Sequence, residues 1–204
     1  MKKSLLIIIS ILISINVSAQ SAIDFLNSVI EKNKSYTDIS IIFDYEFKNQ
    51  EEGIHERTSG YASIKGSSYI INIDGQEMIC NGEILWTHLI DDEEVMISEV
   101  TEENNTSPIA IIDAFSKNVN VSFGEKTNDN VTTLIIKELD NNTFETATIT
   151  VDNDLKLKEV CIKTLDGSVI IYNITKFAIN QDLPDDMFFF NEKIHPNVEV
   201  IDMR

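Results

Sequence analysis

The side chains best suited to catalysis or metal binding in this chain are three histidines and two cysteines: His55, His88, His195, Cys80 and Cys161. The histidines fall in separate predicted strands or turns, and none has a cysteine or a second histidine at zinc-site spacing. An exported chain could pair the two cysteines, but bridge geometry is demanding, so we expect two buried free thiols. The sequence therefore predicts no metal site and no catalytic cysteine.

The acidic segment Asp152-Asn153-Asp154 has the pattern that begins a calcium loop. It lacks the glycine and the distal glutamate of an EF-hand, so we expect a solvated turn. A glycine-rich phosphate loop and a nucleophile elbow are also missing from the sequence. We therefore expect no cofactor and no enzymatic activity, although catalytic groups can assemble from distant positions.

Apolar and aromatic side chains recur at every second residue in two segments, which predicts strands with one apolar face. Aromatic residues suit ordinary sheet cores, so the pattern alone leaves open whether this face packs inside the protein or binds a ligand. The face consists of Ile39, Ile41, Phe43, Tyr45 and Phe47 in one strand and Tyr69, Ile71 and Ile73 in another.

The elements that position this face are mostly strands. Apolar residues at helical spacing predict a first helix over 21–36, capped by Ser21. Ser107 and Pro108 predict the start of a second, short apolar helix over 108–115. Asn81-Gly82 has the sequence of a type I′ hairpin turn. We expect a mainly β (α+β) fold: a strongly curved antiparallel sheet, or unclosed half-barrel, of about ten strands with two covering helices.

The N-terminus has the pattern of a secretory signal peptide. Lys2 and Lys3 precede an apolar run over 5–17, and small residues before Gln20 suit cleavage after Ala19. The run is short and contains serines, which disfavours a membrane anchor. We expect a signal peptide over 1–19, a single domain over 20–204, and an exported protein.

The chain is strongly acidic, with a formal net charge of −18 that becomes more negative once Lys2 and Lys3 leave with the signal peptide. Such a surface repels the phosphates of nucleic acids and of anionic lipids, so no nucleic-acid partner is expected. It suits a soluble carrier that must leave a membrane after visiting it. Solubility alone explains the charge equally well.

Several motifs occur in an order that resembles the LolA family of periplasmic lipoprotein carriers. They are a strand from Gly60 to Lys65, a strand from Tyr69 to Ile73, Asp74-Gly75 followed by Leu85-Trp86, the Ser107-Pro108 helix, and the ending Leu183-Pro184-Asp185, Phe188-Phe189-Phe190 and Asn197-Val198-Glu199-Val200.

The resemblance implies a periplasmic monomer that holds lipoprotein acyl chains in an apolar cavity under a helical lid. It implies loading by an ATP-driven (ABC-type) transporter in the inner membrane and delivery to an outer-membrane acceptor, which the sequence does not identify. The residues that it implies for lipid binding are Phe43, Tyr45, Phe47, Tyr69, Ile71, Ile73, Trp86, Ile109, Ile112 and Phe115.

One position departs from the family pattern. Many members carry arginine and proline after the lysine of the second strand, where the arginine helps to hold the lid closed, and this chain has Gly66 and Ser67. Two alternatives stay open at this point. One is a related half-barrel that binds another lipid or senses mislocalised lipoproteins; the other is an enzyme on apolar substrates with polar groups around His88.

Overall fold

A computed structural model of the chain describes residues 21–101, 118–125, 129–139 and 144–204. These ranges contain one α-helix, twelve strands and two short 3-10 helices, over Asp185–Phe188 and Glu192–Ile194. In chain order the elements are α1 (Ala22–Lys34), β1 (Ile39–Asn49), β2 (Ile54–Lys65), β3 (Ser68–Ile73), β4 (Gln76–Cys80), β5 (Ile84–Leu89), β6 (Glu94–Glu99), β7 (Val119–Phe123), β8 (Val131–Glu138), β9 (Thr146–Asp152), β10 (Leu157–Lys163), β11 (Val169–Ile179) and β12 (Glu199–Asp202).

All twelve strands join one sheet in the order β12-β6-β5-β4-β3-β2-β1-β11-β10-β9-β8-β7. Neighbours along the sheet are antiparallel, except that β12 runs parallel to β6. β12 and β7 form the two edges, so the sheet is unclosed and the predicted fold class is confirmed. Strand β7 was not predicted, because it has only five residues, although Val119, Val121 and Phe123 alternate with polar residues.

One hairpin turn joins β3 to β4, and a second joins β4 to β5, the strand that contains Trp86. Asp74 and Gly75 both have positive φ, at 52° and 73°, as a two-residue type I′ turn requires. At the predicted turn only Gly82 has positive φ, so the type I′ assignment to Asn81-Gly82 is wrong. There the Asn81 carboxamide accepts hydrogen bonds from the main-chain N–H groups of Glu83 and Ile84, at 3.0 and 2.8 Å, which stabilises a wider loop.

Helix α1 packs on one face of the sheet, which we call the inner face. Ser21 caps the helix by accepting a hydrogen bond from the main-chain N–H of Asp24 at 3.2 Å. The predicted helix is thus confirmed, with its end at Lys34. The buried residues that join the helix to β8 and β9 are Leu26, Val29, Ile30, Leu134, Ile136, Phe144, Ala147, Ile149 and Val151.

The opposite, outer face is covered in part by the segment over 183–190. Its Phe188 is 1% exposed and packs against Ile70 and Ile79, with Trp86 and Phe190 beside them. The chain end then continues to β12, which completes the sheet beside β6. The C-terminal segment therefore supplies a small core on the outer face.

Two side chains anchor the start of this segment. The buried Asp38 carboxylate accepts hydrogen bonds from the main-chain N–H groups of Gln181 and Asp182, at 2.7 and 3.0 Å. Burial opposes ionisation of Asp38, but the main-chain hydrogen bonds outweigh it and hold its pKa below the usual range. Lys65 Nζ donates to the carbonyl oxygen of Leu183 at 2.6 Å. Both anchors extend from the β1–β2 region, so they tie the chain end to the middle of the sheet.

Several other sequence-based expectations have clear outcomes. Both cysteines are free: Cys80 is buried on the inner face, whereas Cys161 is half-buried on β10 rather than fully buried. Asp152 forms the expected turn, accepting hydrogen bonds from the main-chain N–H groups of Asp154 and Lys156. Within the described ranges, no helix combines the length and apolar character that crossing a bilayer requires. The predicted signal peptide and the predicted helix over 108–115 lie outside the described residues.

Candidate lipid-binding site

Phe43 lies at the centre of the inner face, where β1 runs between β2 and β11. Its side chain is 3% exposed, and its ring lies directly over Gly60 on β2. A Cβ atom at Gly60 would stand 2.6 Å from Phe43 Cζ, closer than carbon atoms can approach. The missing side chain at position 60 therefore makes room for the Phe43 ring on this face.

The alternation predicted for β1 and β3 places six of the expected site residues on the inner face. Phe43, Tyr45, Ile71 and Ile73 belong to one apolar cluster, which also contains Ala62 and Ile174. Ile71 joins this cluster to a second one around the buried Tyr69, Ile64, Cys80 and Leu85. Phe47 follows the same alternation at the far end of β1, where it is half-buried opposite Glu56 and Ile170.

Trp86 does not lie on this face, so the expectation that it lines the same surface is wrong. Strand register pairs Leu85 with Cys80 and Trp86 with Ile79, which directs Trp86 to the outer face. There it packs with the Phe188 cluster, and its ring lies 6.0 Å from that of Phe189. The tryptophan therefore belongs to the core beneath the C-terminal segment.

Strand β11, far from β1 in the sequence, completes the inner face with residues that were not predicted. β11 pairs with β1 so that Tyr172 lies opposite Tyr45 and Ile174 opposite Phe43. The Tyr172 ring packs against the Phe43 ring, with centroids 5.5 Å apart and an edge-to-face angle of 71°. The alternation of Ile170, Tyr172 and Ile174 was a usable signal, but it did not reveal the partner strand.

The expected lid residues Ile109, Ile112 and Phe115 lie outside the described residues.

The inner face changes from apolar to polar along β1. Beyond Phe43, Tyr45 faces Thr58 and Phe47 faces Glu56. A cavity of about 330 Å³ opens at this end, lined by Tyr45, Glu56, Arg57, Thr58 and Asp74. The inner face therefore combines an apolar region around Phe43 with a polar region beyond Tyr45.

His88, around which the enzyme alternative placed its polar groups, lies on the outer face. His88 pairs with Glu77 and Val95 on the outer face, and its ring lies 4.7 Å from that of His195 and 5.3 Å from that of Phe190. Burial lowers the pKa of His88, the nearby His195 lowers it further, and Glu77 opposes both. The pair of imidazoles is thus part of the packing under the C-terminal segment, on the face opposite to Phe43.

Comparisons with known proteins identify the family of the chain. A sequence model described as "Outer membrane lipoprotein carrier protein LolA" matches residues 72–191, more than half of the chain. An outer-membrane lipoprotein carrier protein from Francisella philomiragia is 29% identical over 217 residues, which cover 98% of each chain.

Solved structures that resemble the fold include a LolA superfamily protein from Nitrosomonas europaea and the lipoprotein LppX of Mycobacterium tuberculosis. The first has 12% identity and a TM-score of 0.43, covering 84% of this chain and 99% of the other. The second has 16% identity and a TM-score of 0.48, covering 81% and 98%. On the strength of the sequence match over 72–191, the chain belongs to the LolA family of outer-membrane lipoprotein carrier proteins.

Proposed function

We propose that this protein is a periplasmic carrier that takes lipoproteins from the inner to the outer membrane, holding their acyl chains against the inner face. The observation that carries this proposal is the apolar surface around Phe43, Ile71 and Ile174 in a chain of the lipoprotein carrier family. Helix α1 packs on the β8–β9 side of the same face, next to this surface. The surface therefore has the chemistry that hydrocarbon chains require.

Transfer between membranes demands such a surface. Each acyl methylene that leaves a bilayer for water costs about 0.8 kcal/mol, so several long chains face a barrier of tens of kcal/mol. A carrier lowers that barrier by replacing the lipid environment. It must also release its cargo. An open apolar surface with a movable cover suits release better than a tight polar pocket does. The acidic exterior, more negative than the −18 of the full chain once Lys2 and Lys3 are removed, then keeps the loaded carrier in solution and away from anionic headgroups.

The side chains that we propose for acyl contact are on β1 and β3, and helix residues outside the described ranges would cover the chains. Trp86 is left out because it lies on the outer face. The proposed contact residues are Phe43, Tyr45, Phe47, Tyr69, Ile71 and Ile73, and the proposed cover is Ile109, Ile112 and Phe115.

The remaining parts of the proposal follow from the family. Residues 1–19 act as a cleaved signal peptide, and residues 20–204 form one domain that works as a monomer. An ATP-driven transporter of the lipoprotein-release type loads the carrier at the inner membrane. No catalytic step is involved, since cargo is bound and released unchanged.

A release assay with two matched variants tests the proposal. Inner-membrane vesicles that hold a labelled triacylated lipoprotein and the cognate transporter are incubated with ATP and the purified protein. We expect lipoprotein to appear in the supernatant as a soluble complex, only when both ATP and the protein are present. Ile73→Asn, on the inner face, should reduce release at least several-fold. Ile171→Asn, on the outer face between Glu46 and Cys161, should leave it near the wild-type level.

Both isoleucines are half-buried in strands, so the two substitutions carry similar costs to folding. Equal loss in both variants, with both still folded by circular dichroism, would contradict the assignment of the inner face. No release by the wild-type protein would contradict the carrier function. Identification of the lipid that co-purifies with the protein would then test the alternative, which is a half-barrel that binds another lipid or senses mislocalised lipoproteins.

A further inference from the structure

Two tyrosines meet at the point where the inner face changes from apolar to polar. Tyr45 on β1 and Tyr172 on β11 are direct cross-strand partners, and their ring centroids lie 5.4 Å apart. Both rings pack with Phe43 and Ile174 in the apolar cluster. A single ligand on the inner face at this point can therefore touch both tyrosines.

The hydroxyl groups of these tyrosines are available to a ligand. Within the described ranges neither hydroxyl has a hydrogen-bond partner, whereas the hydroxyl of Tyr61 on the outer face donates to Glu77 Oε1 at 2.9 Å. Tyr45 and Tyr172 are half-buried, and neither hydroxyl is among the enclosed, unpartnered polar atoms of the described residues. They are thus donors at the surface of an apolar site.

Both hydroxyls stay protonated at neutral pH. Burial raises the pKa of Tyr172, and Tyr45 adds to that shift. Burial also raises the pKa of Tyr45, with smaller contributions from Glu56 and Asp74. A neutral phenol is a hydrogen-bond donor, so the pair suits a ligand that carries acceptors at the end of its hydrocarbon chain.

An acyl ester has this construction: a hydrocarbon chain, then a carbonyl oxygen that only accepts hydrogen bonds. The half-buried Ile71 and Ile73 match the hydrocarbon part, and the polar end around Glu56 and Thr58 lies beyond the tyrosines. We propose that Tyr45 and Tyr172 bind the ester carbonyls of the ligand, so that the site selects acyl esters over alkyl chains without a carbonyl. This inference rests on the proposed function and names the chemistry that the site recognises.

Two lysolipids that differ by one carbonyl test the inference. Binding of 1-palmitoyl-lysophosphatidylcholine and of its 1-O-hexadecyl ether analogue to the mature protein is measured by calorimetry below their micelle concentrations. Because one neutral hydrogen bond changes affinity by about three- to tenfold, we expect the wild-type protein to prefer the ester by that factor. Tyr45→Phe and Tyr172→Phe should each weaken the preference, and the double variant should bind both lipids equally.

Tyr61→Phe is the matched control, since it removes a tyrosine hydroxyl from the outer face and should keep the preference. Equal binding of ester and ether by the wild-type protein would overturn the inference while leaving the proposed function intact. A preference that survives in the double variant would also overturn it. Binding of neither lipid by the wild-type protein would count against the proposed function itself.

Discussion

Replacing Phe188 with alanine is expected to lower the free energy of unfolding by about 3–5 kcal/mol. The side chain is 1% exposed, and it fills the space between Ile70 and Ile79 on the outer face. Removing a buried phenylalanine forfeits its transfer free energy and leaves a cavity, and such substitutions cost about this amount. For a domain of this size the melting temperature should fall by about 6–20 °C.

The neighbouring Phe189 provides a control with the same residue type, one position along the chain. Its side chain is 50% exposed and contacts the Trp86 ring at the rim of the cluster. Phe189→Ala should therefore cost about 1 kcal/mol, the scale of one exposed aromatic contact.

Urea unfolding followed by far-UV circular dichroism gives both free energies under one set of conditions. Fluorescence of the single tryptophan, Trp86, reports the same transition from inside the affected cluster. The m-value should stay constant if the variant changes stability alone. Similar losses in the Phe188 and Phe189 variants, or a loss below about 1 kcal/mol for Phe188→Ala, would refute the packing of the C-terminal segment described above.

Three further predictions use the same unfolding measurement. Gly60→Ala should cost about 1–3 kcal/mol because the new methyl group overlaps both the Phe43 ring and the main-chain oxygen of Asn72, and unchanged stability would contradict this close packing. Asp38→Asn should cost about 1.5–3 kcal/mol because asparagine keeps only one acceptor oxygen, so its NH2 group replaces an oxygen that accepts from Gln181 or Asp182. The pKa of Asp38 is lowered despite burial, so the wild-type protein should lose the stability that the charged carboxylate contributes as pH falls below about 4. The variant should not show this loss. The pKa of His88 is lowered by burial. The free energy of unfolding should therefore be constant above about pH 6.5 and decrease as pH falls below that value. In His88→Gln this decrease should be smaller.

The sheet face on which a side chain lies could be predicted wherever the strand alternation and the intervening turns were both interpreted correctly. The period of two in β1 and β3 placed Phe43, Tyr45, Tyr69 and Ile71 together, as the structure has them. The position of Trp86 was also accessible from the sequence. A two-residue turn at Asp74-Gly75 and the hairpin after Cys80 carry the alternation on to β5, where it assigns Leu85 to the inner face and its neighbour Trp86 to the outer one.

Other features had no local signal. The partnership of Tyr45 with Tyr172 joins residues more than a hundred positions apart, and a strand pattern does not name its partner. The parallel pairing of β12 with β6 is equally hidden, because all four residues of β12 are exposed and show no buried face. His88 and His195 lie in different segments, and only the return of the chain end across the outer face brings their rings together.

The sequence by itself determined the mainly β class, the first helix, the apolar face of β1 and β3, and the resemblance to the lipoprotein carriers. These follow from periodicity, turn chemistry and ordered motifs, which act over a few residues at a time. Only the tertiary structure decided that β11 completes the apolar face with Tyr172 and that Phe188 covers the outer one. The physical reason is that long-range strand pairing depends on the total burial of the whole sheet, which no local segment encodes.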